Sequence, residues 1–167
     1  MKKIDVNLLS DNVFKNIGEE WMLITAGNKK EHNMMTASWG FMGVMWHKPC
    51  AIAAIRPQRY TMKFVEKEEF YTLSFYGDNK KLHSVCGKQS GRDINKTEVC
   101  GLTPIEDEET GAVYFKEARL VLICKKKYMG ALKEDNFIDK SIVKDIYPTK
   151  DFHNMIIGEI VKAYINE

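Results

Sequence analysis

The feature that most limits the possible folds is a series of strand-length runs with no intervening rhythm of long helices. Six segments read as extended chain: 19–27 (EEWMLITAG), 34–42 (MMTASWGFM), 50–57 (CAIAAIRP), 71–75 (YTLSF), 118–128 (ARLVLICKKKY) and 154–165 (NMIIGEIVKAYI). The run 50–57 is continuously apolar and closed by Pro57, which predicts a strand covered on both faces. In 71–75 the residues alternate: Tyr71, Leu73 and Phe75 point one way, Thr72 and Ser74 the other. The polar stretch 27–33 between the first two runs predicts a hairpin.

Helices are fewer. The spacing predicts them over 61–69, over 78–87 with Asp78 as cap and Gly87 as stop, and over 137–147. The acidic turn 106–111 reads as solvated charge. A doubly wound parallel sheet needs strands alternating with long helices, and neither G-x-G-x-x-G nor a P-loop pattern occurs. The expectation is a mainly β chain with short α insertions, closed as an antiparallel barrel. No repeat or linker divides residues 1–167, so one domain is expected, with the barrel over about 20–165 and residues 1–18 peripheral.

Composition narrows the function classes. A net charge of +2 argues against nucleic acid and membrane surfaces as partners. No apolar run approaches the roughly 20 residues of a membrane span, and Asp5, Asn7 and Asp11 interrupt the start too early for a secretory signal, so the cytoplasm is the expected location. Cys50, Cys86, Cys100 and Cys124 have no metal-ligand spacing and read as buried thiols. His32, His47 and His83 likewise share no ligand spacing. Nine Met with three Trp, seven Tyr and eight Phe fit an irregular apolar space such as a ligand pocket or subunit contact.

Three segments carry candidate chemistry. In Asn33–Gly40 (NMMTASWG), extended geometry puts Thr36 and Ser38 on one face and Met35, Ala37 and Trp39 on the other, an edge able to bond a flat heteroaromatic ring. In 56–61 (RPQRYT), Arg56 and Arg59 bracket a turn and Thr61 stands where a helix begins, so spare N–H donors and a guanidinium meet an anion. In 86–96 (CGKQSGRDINK), Ser90, Gly91, Arg92 and Lys96 place hydroxyl, flexible backbone and cations together. Taken alone, each stretch reads first as ordinary structure: a half-wet strand, a surface turn, a polar loop. His153, at the mouth of the last strand, is the remaining reactive candidate, and a histidine there is often structural.

In this order the segments resemble the flavin reductase-like family, in particular its flavoredoxin-like branch, from about residue 20 to the C-terminus. The matching pieces are Asn33–Gly40, Trp46 with Lys48-Pro49, Arg56–Thr61, Cys86-Gly87, Ser90–Asp93, Lys96, and His153 with Gly158-Glu159. The resemblance implies an FMN-binding split β-barrel of Greek-key type, usually a homodimer with the flavin near the subunit interface. It implies that Asn33, Thr36, Ser38 and Trp39 line the isoalloxazine, with Met35 and Ala37 also among the cofactor-binding residues. Arg59 and Thr61, with Ser90, Gly91 and Lys96, would then hold the phosphate, and Arg56 would be a further cofactor-binding residue. The activity implied is that of an NADH- or NADPH-dependent flavin oxidoreductase; the alternative within the family is an FMN electron carrier reduced by a redox protein. One departure stands out: the region reads Asp151-Phe152-His153, where several relatives carry Gly-Asp-His near the nicotinamide.

Overall fold

The computed structural model describes residues 1–166. In chain order the elements are β1 (Lys2–Ile4), β2 (Met22–Gly27), β3 (His32–Ala37), β4 (Gly40–Met45), β5 (Lys48–Ile55), α1 (Tyr60–Lys67), β6 (Phe70–Phe75), α2 (Lys80–Lys88), α3 (Lys96–Val99), β7 (Pro104–Glu106), β8 (Val113–Phe115), β9 (Leu120–Ala131), α4 (Lys140–Ile146) and β10 (Asn154–Ile165). The main sheet runs β3-β2-β6-β9-β10-β5-β4, antiparallel throughout, and β7–β8 forms a separate hairpin.

The topology explains why this sheet closes. β3 and β4 lie at opposite ends of the path, yet only Ser38 and Trp39 separate them in the chain. Three Cα steps from Ala37 to Gly40 span at most ~11 Å. The two edges must therefore come together, and the sheet rolls into a barrel split at Ser38–Trp39. The extended run expected over 34–42 is thus two strands: β3 pairs with β2, as the hairpin reading required, and β4 pairs with β5.

Alternation fills the interior. Tyr71, Leu73 and Phe75 of β6 join Leu120, Leu122 and Cys124 of β9 and Met35 and Ala37 of β3 in the main core. Tyr71 donates its hydroxyl to the carbonyls of Ala51 and Ile156, both at 3.2 Å, so its buried oxygen is satisfied. Gly158 faces that ring, and a Cβ there would stand 2.7 Å from the Tyr71 hydroxyl. The other face of β6 is not wet: Thr72 and Ser74 are fully buried, and Thr72 donates to the Val113 carbonyl at 2.8 Å.

Other expectations shift. Glu19 and Glu20 belong to a short π-helical turn, Lys15–Glu20, and β2 begins only after Trp21 turns the chain at φ 70°. Asn79, not Asp78, caps α2 by accepting from Leu82 N, and Gly87 lies inside that helix. The acidic turn is partly an interior feature: buried Asp107 accepts from Lys162 and Tyr164, each at 2.7 Å, which holds its pKa well below the usual carboxylate range. Residues 1–18 do more than sit at the edge. β1 pairs with the end of β10 (Ala163 to Ile165), Ile4, Val6 and Leu9 pack on the core, and Asp11 binds Arg119 at 2.6 Å. Three residues are too few to show a strand period in sequence. Among the described residues, no helix is long and apolar enough to cross a membrane.

Candidate functional site

The loop after β5, the loop after α2 and the edge strand β3 meet on one side of the barrel. Asn33 is where they join. Its buried side chain donates to Thr61 Oγ1 at 2.8 Å, tying β3 to the first turn of α1. Its Oδ1 lies so close to Gly91 that a Cβ on that residue would overlap it. Only glycine lets the 86–96 loop approach β3 this closely.

Around this junction lies a 180 Å³ cavity lined by Asn33, Met35, Arg59, Thr61, Ser90, Gly91 and Lys96, among others. Arg59 is the backbone N-cap of α1 and makes no side-chain capping bond, so the first N–H groups of that helix are left without a side-chain acceptor. Among the described residues, Arg59 has no ion-pair partner. Burial draws its pKa below the ordinary arginine value. Lys96 is buried, and its Nζ donates to the carbonyls of Met34 and Cys86, each at 2.9 Å. Burial, and to a smaller degree the nearby Arg59, pulls its pKa down. Two cations with no carboxylate between them, beside a helix N-terminus, form a place for an anion.

A second cavity, of 220 Å³, shares Met35 and Arg59 with the first. Its wall is Met35, Thr36, Ala37, Ser38, Trp39, Ala54, Arg56 and His153. The twelve residues expected at the cofactor and the reactive candidate His153 therefore line two adjoining cavities. Their side chains are not all free. The Thr36 hydroxyl donates to the His83 carbonyl at 2.8 Å and meets His83 Nδ1 at 3.2 Å, so it is committed to α2. Arg56 is engaged as well: it pairs with Asp151, donates to the Ile146 carbonyl at 3.0 Å and lies over the Tyr147 ring. It fastens the 146–151 segment to the barrel. Gln58 also donates to Asp151, at 2.7 Å.

His153 is buried. Its Nδ1 is 2.8 Å from the Tyr147 hydroxyl, and its ring packs 4.9 Å from that of Trp39. Burial, reinforced by Arg56, lowers its pKa to about 4, so the imidazole is neutral near pH 7. It supports Trp39, which is itself half exposed. Beyond Trp39 the groove widens into an apolar cavity of 750 Å³, with Phe14, Ile17, Phe41, Met42, Tyr147 and Met155 in its wall. Sequence reasoning missed Tyr147 and Tyr60. The guanidinium of Arg92 lies 4.6 Å from the Tyr60 ring, and no spacing rule marks either tyrosine.

Among solved structures, the chain is similar to a flavoredoxin from Methanosarcina acetivorans, at 21% identity and a TM-score of 0.68, covering 100% of this chain and 77% of that one. The flavoredoxin of Desulfovibrio vulgaris (Miyazaki F) is similar at 19% identity and TM-score 0.68, covering 100% and 78%. An NADH:FAD oxidoreductase of Streptomyces globisporus C-1027, in complex with NAD and FAD fragments, matches at 16% identity and TM-score 0.64, covering 88% and 74%. At such identities the likeness is one of fold. The chain matches no curated protein. The family model described as "Flavin reductase like domain" matches residues 14–167, and the chain belongs to that family.

Proposed function

We propose that the chain is an FMN-binding oxidoreductase that draws reducing equivalents from NADH or NADPH. The observation that carries this reading is the pair of cations, Arg59 and Lys96, left without a carboxylate in a cavity that adjoins a flat groove beside Trp39. The donor set suits a phosphate monoester: a guanidinium, an ammonium with one N–H to spare, the Thr61 hydroxyl, and the close backbone at Gly91. The Thr61 oxygen already accepts from Asn33, so its own proton remains to be given. β3 is an edge strand bonded only to β2, which leaves alternate backbone N–H and C=O groups facing the groove. These would bond the polar edge of the ring. FMN, when bound, supplies an acceptor of hydride at N5. The residues of this chain bind and orient it, and the neutral His153 adds no charge to the groove.

Arg59→Ala is expected to weaken FMN binding about tenfold, the equivalent of ~1.4 kcal/mol. Fluorescence titration checks it, and an unchanged dissociation constant would count against the phosphate assignment. The wider test is a spectrum of the purified protein followed by anaerobic addition of NADH, then NADPH. A colourless protein that leaves FMN fluorescence unquenched would sink the flavin reading. A flavin band that neither nicotinamide bleaches would favour the second reading, an FMN carrier reduced by a protein. His153 supports that alternative, since Tyr147 and Trp39 already engage its ring.

We also propose a homodimer. Phe41, Val44, Met45 and Trp46 of the β4–β5 hairpin are exposed, and Phe41 also lines the apolar cavity that contains Phe14. So much exposed apolar surface on one hairpin suits an association face. Sedimentation equilibrium should return about twice the 19.3 kDa chain mass, and a mass that stays monomeric at micromolar concentration would refute this.

A further inference from the structure

Two thiols stand behind the phosphate cavity, and the chemistry proposed above does not use them. Cys86 lies near the end of α2 and Cys100 directly follows α3. Their Sγ atoms are 3.9 Å apart, the one thiol–thiol contact among the described residues. The two cysteines bracket the loop that carries Ser90, Gly91 and Lys96. The Cys86 carbonyl itself accepts from Lys96 Nζ at 2.9 Å. The thiols are unequal in access. Cys86 is fully buried, and burial pushes its thiol up to about 12. Cys100 is partly exposed and lines a separate 260 Å³ cavity with Tyr76, Leu82 and Glu117.

We propose that Cys86 and Cys100 are a redox-active dithiol whose oxidation to a disulfide clasps the 86–100 loop against β3. Its effect on cofactor release rests on the FMN reading above. A bond requires the sulfurs to approach by about 2 Å more. Cys100 can supply that movement: α3 is a single turn, and Gly101 follows at φ 62°. The oxidant is a small disulfide, RSSR. Cys100 gives up its proton, and its thiolate attacks one sulfur, forms Cys100–S–S–R and expels RS⁻, which takes that proton. The Cys86 thiol then gives up its proton, and its sulfur attacks that of Cys100. The second RS⁻ leaves and takes a proton. The protein loses two electrons, and RSSR becomes two RSH.

The experiment equilibrates the folded protein in glutathione buffers from fully reduced to fully oxidised, then counts thiols and maps peptides. Two of the four thiols should disappear, and the tryptic peptides 82–88 and 97–116 should be recovered as one linked species. Native trypsin cleavage after the exposed Arg92 should slow at least threefold in the oxidised protein, and FMN release should slow by a similar factor. Cys100→Ser should abolish all of these responses; it is the variant of choice because Cys86 is packed in the core and its replacement risks the fold. Four persistent thiols, or a glutathione adduct on Cys100 with no link to Cys86, would overturn the proposal. So would a disulfide that leaves cleavage at Arg92 unchanged. If the protein binds no FMN, the thiol count and the Arg92 cleavage still decide the clasp. A disulfide that slows cleavage but not the release of bound FMN would overturn its action on the cofactor alone.

Discussion

Lys96→Met is expected to lower the stability of the fold by about 2–3 kcal/mol and to weaken FMN binding at least tenfold. The ammonium of Lys96 has three donors. Two are given to the carbonyls of Met34 and Cys86, so they hold the loop after α2 against β3. The third is left for the cavity. Methionine keeps most of the side-chain volume and removes all three. Two carbonyl oxygens then lose a charge-assisted partner, at ~1–3 kcal/mol each, offset in part because a desolvated charge is no longer held. Urea unfolding reads the first effect and FMN titration the second. Reduced stability with unchanged FMN affinity would make Lys96 a structural clip only. Wild-type values for both would remove it from the site.

Acid should loosen the protein well before its carboxylates titrate. His83 and His153 are both buried, and each has its pKa lowered to about 4. For His83 the cause is burial, then the like charge of Lys80 on its own helix; Trp21 and Tyr76 meet its ring edge-on. For His153 it is burial, then Arg56, with Asp151 acting in the opposite sense. An unfolded histidine titrates near 6.5, so between that value and 4 the unfolded chain binds more protons than the folded one. Stability therefore falls as the pH is lowered through this window and is fully present above it. Between pH 7 and pH 5 the two together should cost roughly 2–4 kcal/mol. Below that, depressed carboxylates such as Asp107 add a further loss in the same direction. Urea melts at pH 7, 6 and 5 measure it, and His83→Gln should remove about half of the change. A flat profile from pH 7 to pH 5 would contradict the burial of these rings.

How much of this was legible in the chain depends on distance along it. The last strand was read at its observed limits, 154–165, because twelve residues of strand character need no partner to be seen. The three candidate segments were legible as local patterns of hydroxyl, cation and glycine, and residues of all three line two adjoining cavities. What escaped was set by partners far away. Asp151 captures Arg56 from 95 positions off, and Lys162 draws Asp107 into the interior from 55. Neither acidic residue differs locally from a solvated one. Thr36 lines the groove as alternation suggested, but alternation gives a side chain's direction and not its appointment with His83. The break at Ser38 was invisible for a related reason: only Ser38 and Trp39 separate two strands whose pairing partners lie at opposite ends of the sheet.

That short link has a mechanical consequence. Where β3 and β4 approach, the barrel wall is joined by covalent chain and side chains rather than by a ladder of interstrand bonds. The two flanks can part slightly without rupturing a single rung. A planar guest could slip in at this gap at little enthalpic expense, and the rest of the wall would keep its shape while it did so.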